Sequence, residues 1–139
     1  MSARKIAGAL SLLGALVMST HTTPAQAAKL SLEGPWGGDQ LQLVIDAKGG
    51  HIEAGCASGE IAGPIKLTAD GSFVALGTFQ VHQGGPQRAD EVAATAPAAR
   101  FRGEVKAGSM RLEVLPAGAT APEVFNLRAG TRIKLIRCL

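Results

Sequence analysis

Leu41-Gln42-Leu43-Val44-Ile45-Asp46-Ala47-Lys48-Gly49-Gly50-His51-Ile52-Glu53-Ala54-Gly55-Cys56 is the stretch that decides the fold. Leu41, Leu43 and Ile45 recur at every second position, with Gln42 and Asp46 between them and Val44 the exception, which is the pattern of a half-buried strand. Lys48-Gly49-Gly50 then supplies turn residues. Alternation resumes with Ile52, Ala54 and Cys56 on one side and His51 and Glu53 on the other, so Cys56 is expected to point inward.

Toward the C-terminus the same period continues. Gly63-Pro64 divides Glu60 to Thr68 into two short strands at a bend or sheet edge, where proline's missing donor does no harm. Ala69-Asp70-Gly71 is a turn, and Ser72 to His82 is the longest alternating run, with Phe73, Ala75, Gly77, Phe79 and Val81 on one face. Gly77 between two phenylalanines suits strong local curvature. A long loop near 84–99 follows, either an insertion or a lid or partner-binding loop. Phe101 to Val105 and Met110 to Val114 flank a turn at Lys106-Ala107-Gly108, and Pro116 to Pro122 leads into Val124 to Arg128. After Ala129-Gly130, Thr131 to Leu139 reads as a closing strand, with Ile133 and Leu135 on one face and Lys134, Ile136 and Cys138 on the other.

Seven to nine strands without a crossover long enough for parallel pairing predict an all-β chain, a small antiparallel up-and-down meander. Closure into a barrel removes both exposed edges. A flattened β-sandwich is the rival arrangement.

Upstream of the sheet, residues 1–27 read as a cleavable signal peptide. Arg4 and Lys5 precede an apolar run from Ile6 to Met18, and Ala25-Gln26-Ala27 offers small residues for cleavage before Ala28. The apolar run is shorter than the roughly 20 residues a membrane span requires, so no stable anchor is expected after cleavage. Loss of Arg4 and Lys5 lowers the formal charge from +3 to +1, which weakens any inference of a nucleic-acid partner. The remaining residues, 28–139, suffice for one domain.

Export also decides what Cys56 and Cys138 are for. In a periplasmic or secreted protein they are most simply one disulfide, and the Cys-x-x-Cys spacing of redox-active thiols is absent. Such a bond would also pin the chain end at Cys138.

The chain resembles a group of small exported bacterial proteins of uncharacterised function through Trp36-Gly37-Gly38-Asp39-Gln40-Leu41, Cys56-Ala57-Ser58-Gly59-Glu60-Ile61, Gly63-Pro64-Ile65, Asp70-Gly71-Ser72-Phe73, Gly84-Gly85-Pro86 and Cys138-Leu139. That resemblance implies export but no activity. Gly34-Pro35-Trp36 is similar to the Gly-x-Trp of lipocalin-like barrels, in which an Arg of the closing strand packs on the Trp. The resemblance implies Arg132 as that counterpart and a Trp36–Arg132 contact of cation–π type.

Catalytic signatures are sparse. No nucleophile-elbow sequence surrounds Ser58, Ser72 or Ser109, and no His-Glu-x-x-His or phosphate-loop motif occurs. His51 and Glu53 share a strand face and His82 could join them, although solvated surface residues are the simpler reading. Arg100, Arg102, Arg128, Arg132, Lys134 and Arg137 cluster late in the chain, interleaved with Glu104, Glu113 and Glu123. The expectation is a noncatalytic, monomeric exported barrel without metal or cofactor. It would bind a small molecule or envelope component at its mouth, with Trp36, Asp39, Gln40, Gly84, Gly85 and Pro86 as contacts. A protein-binding module, such as an inhibitor of an extracellular hydrolase, would use the same loops. A small hydrolase would need a cleft holding His51, His82 and a carboxylate.

Overall fold

The computed structural model describes residues 32–86, 88–90 and 95–138, so the expected signal peptide lies outside the described residues. Eight antiparallel strands run in chain order: β1 (Gly34–Gly38), β2 (Leu41–Asp46), β3 (Gly49–Ala54), β4 (Ala57–Ala62), β5 (Ser72–Val81), β6 (Ala98–Lys106), β7 (Ser109–Pro116) and β8 (Glu123–Ala129). Each pairs with its neighbour in sequence, and β1 pairs with β8 through Trp36–Ala129 and Gly37–Arg128. The meander therefore closes as a barrel, and the sandwich alternative is set aside.

Alternation places the aliphatic side chains inside. Leu41, Leu43, Ile52, Phe73, Phe79, Phe101, Met110, Leu112, Val114 and Leu127 are almost fully buried, and Trp36 joins them at 2% exposure. In β6 the register is strict, with Ala99, Phe101, Gly103 and Val105 buried and Arg100, Arg102 and Glu104 exposed. Filling with aliphatic and phenyl groups makes the lumen a packed core, which is the expected state of a small eight-stranded barrel.

Because strands alternate in direction, the connections sort into two ends. One end carries the turns after Gly38, Ala54, Val81 and Pro116; the other carries those after Asp46, Ala62, Lys106 and Ala129. Asp46 ends β2 and accepts from the Lys48 and Gly49 amides at 2.7 and 3.0 Å. The tight turn is thus Ala47-Lys48, and Gly49 and Gly50 open β3 instead of forming the turn. Gly77 sits where an added Cβ would lie 1.8 Å from the Glu60 carbonyl oxygen, so its lack of a side chain is what lets β5 approach β4 this closely.

Four other expectations are corrected. Residues 63–68 form no second strand after Gly63-Pro64, because β4 stops at Ala62 and proline cannot donate to a ladder. Val81 is 59% exposed: it still pairs with Ala57 of β4, but pairing with β6 has stopped at Thr78. Cys56 is exposed and not inward, because Gly55-Cys56 forms the turn between β3 and β4 and interrupts the alternating phase. The largest difference concerns 131–138. This segment is not a strand of the barrel, whose closing strand is β8.

Residues 131–138 instead form an extended strap that crosses the outside of β1, β2 and β3, from above Gly37 and Gln42 to the β3–β4 turn. Gln42, whose side chain points outward between Leu41 and Leu43, donates to the Thr131 carbonyl at 3.1 Å and accepts from the Ile133 amide at 2.9 Å. At the far end the Cys138 amide donates to the Gly55 carbonyl at 3.0 Å, and Cys138 is disulfide-bonded to Cys56. Gly37 and Gly55 lie beneath the strap. A Cβ on either would meet the carbonyl oxygen of Thr131 or Ile136 at 2.7 and 2.5 Å.

Candidate functional site

A cleft of about 260 Å³ opens on the outside of the barrel beside the disulfide. Three segments that are remote in sequence line it: Glu53 to Ser58 from the β3–β4 hairpin, His82 to Gly84 after β5, and Leu135, Arg137 and Cys138 from the strap. Hairpin register sets Glu53 directly opposite Ser58, and both face outward because Ile52 and Gly59 occupy the inner positions. The chain after β5 is held by the His82 amide, which donates to the Cys56 carbonyl at 2.7 Å. This brings His82 Nε2 to 2.8 Å from Ser58 Oγ.

The cleft therefore offers a carboxylate, a hydroxyl–imidazole pair and a guanidinium around a floor of Ala54, Ala57 and Leu135. Such a set can accept and donate several hydrogen bonds to a polar solute while packing its apolar edge. His51 is not part of it: its Nε2 lies 3.4 Å from Glu53 Oε1 on an exposed stretch of β3. Of the His51, His82 and carboxylate set that hydrolysis would need, His82 and Glu53 line the cleft. Among the described residues, no three His, Cys, Asp or Glu side chains converge as a metal site.

Gly84 lines the cleft, and Asp39, Gln40, Gly85 and Pro86 lie toward the same end of the barrel without lining it. Asp39 has a different task. With Gln40 it forms the β1–β2 turn at positive φ (46° and 60°), and its Oδ2 accepts from the Asn126 amide at 2.6 Å and from Asn126 Nδ2 at 3.1 Å. That contact extends the β1–β8 seam past the point where backbone pairing stops. Trp36 is likewise structural. Its ring is buried inside the barrel and its Nε1 donates to the Leu32 carbonyl at 2.8 Å.

Arg132, the counterpart implied by the lipocalin-like resemblance, is exposed on the strap in a depression shared with Gln42, Glu53 and Arg137. It stands on the outer side of the wall whose inner side Trp36 faces. What sequence reading missed is the pairing of Ser58 with His82, a residue it set beside His51 and Glu53, and the places of Arg137 and Gln42. Only the pairing of distant segments brings Ser58, His82 and Arg137 together, and Gln42 reads in sequence as an ordinary outward residue. No protein-family model, curated protein or solved structure matches the chain.

Proposed function

We propose that the chain is an exported, noncatalytic binding protein that takes a small polar molecule or envelope component in the cleft between the β3–β4 hairpin, the chain after β5 and the strap. The observation that carries this reading is the convergence of Glu53, Ser58, His82 and Arg137 on one concavity while side chains fill the barrel interior. Export is supported by the Cys56–Cys138 bond, a link of the kind that persists in oxidising compartments. The cleft is slightly smaller than the roughly 300–1,000 Å³ of sites for drug-sized ligands, which suits a small polar group.

The test is amide chemical-shift mapping with a panel of envelope sugars, amino acids and carboxylates. Shifts confined to Gly55, Ser58, Gly59, His82 and Gly84, and abolished by His82→Ala and Arg137→Ala, are expected. A panel-wide absence of shifts, or shifts clustered at the opposite barrel end, would overturn it.

The filled interior also favours a second reading, in which the same cleft receives a side chain or loop of an extracellular protein. That reading requires binding to a folded partner that is lost in the same two variants while the solute panel stays silent.

A further inference from the structure

The strap carries a surface that the cleft does not use. Ile133 and Leu135 are half-buried toward the barrel, so the alternation of extended chain turns Arg132, Lys134 and Ile136 away from it. Ile136 is 78% exposed, more than Leu76 at 67% or any other large hydrophobic side chain described. Arg132 and Ile136 are four residues apart, about 13 Å along extended chain. The strap is held against the barrel by Gln42 at its start and by the Gly55 carbonyl and the disulfide at its end.

Its charges are poorly compensated. Among the described residues neither Arg132 nor Lys134 forms an ion pair, and Glu53 is the one carboxylate in the depression that Arg132 shares with Arg137. Arg128 on β8, paired with Gly37 where the strap begins, adds a further exposed cation. A row of cations held side by side repels itself unless an external anion lies against it. The β6 arginines differ, since Arg102 faces Glu113 across the sheet and Glu104 follows on the same face.

We propose that the outward side of the strap, Arg132, Lys134 and Ile136, docks on a bilayer carrying anionic headgroups. Guanidinium and ammonium groups engage phosphates at the surface, and the isoleucine enters the boundary with the acyl chains. An aliphatic tip at the end of a cationic row gains nothing from phosphates alone, whereas the acyl chains beneath anionic headgroups bury it. The inference is independent of the cleft, because Arg132, Lys134 and Ile136 do not line it.

The experiment is flotation of the oxidised protein with phosphatidylcholine vesicles, with and without roughly one-quarter phosphatidylglycerol. Binding to the anionic vesicles alone, weakening as salt rises, is expected. Arg132→Glu with Lys134→Glu should lower the bound fraction by about tenfold or more, and Ile136→Ser severalfold with an unchanged salt dependence. Far-UV circular dichroism checks folding, and Arg132→Gln with Lys134→Gln provides a milder variant with an intermediate loss. The proposal is overturned if native protein ignores anionic vesicles at low salt or if both strap double variants bind like the native chain. It is equally overturned if Arg100→Glu with Arg102→Glu abolishes binding while the strap variants do not. Single-stranded DNA binding of equal strength that survives Ile136→Ser would also overturn it. His82→Ala should leave flotation unchanged, which separates this result from the fate of the cleft.

Discussion

Asp39 and Asp70 show two uses of an exposed carboxylate. Asp39 sits in the left-handed region and bridges the β1–β2 turn to Asn126, so Asp39→Ala loses both bonds and adds backbone strain. Urea denaturation should find the variant destabilised by about 1–3 kcal/mol, with Asp39→Asn retaining part of the difference because Asn tolerates that conformation. Asp70 accepts from the Thr68 and Ser72 hydroxyls and from the Ser72 amide, and these bonds, led by Thr68, lower its pKa from 3.8 to about 2. The folded value lies below the ordinary one, so the stabilisation is complete above 3.8 and is lost as pH falls through about 2. Native protein should therefore exceed Asp70→Asn in urea midpoint at neutral pH, and the two should converge under strong acid. In sequence, Ala69-Asp70-Gly71 was legible as a turn, whereas the role of Asp39 was not. Its partner lies 87 residues away.

Among the elements, the strap departs furthest from its sequence pattern. Thr131 to Leu139 alternates as a strand would, and Ile133 and Leu135 do pack toward the barrel, but every barrel strand already has two neighbours. A ninth strand has no free edge to join, so the segment packs across the outer wall. Gln42 secures it with its side-chain oxygen and nitrogen, the nitrogen also reaching the Trp36 carbonyl at 3.0 Å. Gln42→Ala should cost about 1–3 kcal/mol and raise hydrogen exchange at Ile133 far more than at Phe101 in β6. Equal acceleration at both sites would show that the side chain supports the barrel and not the strap.

For the molecule as a whole, closure and crosslinking are separate devices. The β1–β8 ladder closes the barrel through Trp36, Gly37, Arg128 and Ala129, while the disulfide ties the outer strap to the β3–β4 turn. Cys56→Ala with Cys138→Ala should therefore retain the far-UV spectrum of the barrel while losing roughly 4–5 kcal/mol, the chain-entropy value for a loop of this length. A random-coil spectrum would mean that closure depends on the bond. The amino-acid sequence by itself determined the all-β class, the meander and the identity of most inward residues, because period-two burial and turn chemistry are local, while it bounded the strand number only at seven to nine. It also placed the two cysteines as partners. Only the tertiary structure decided that Cys56 faces outward, that the last segment is a strap, and that Ser58, His82, Glu53 and Arg137 share a cleft. Those outcomes depend on which edges closure has already consumed and on side chains that meet across strands remote in sequence, and no local period encodes either.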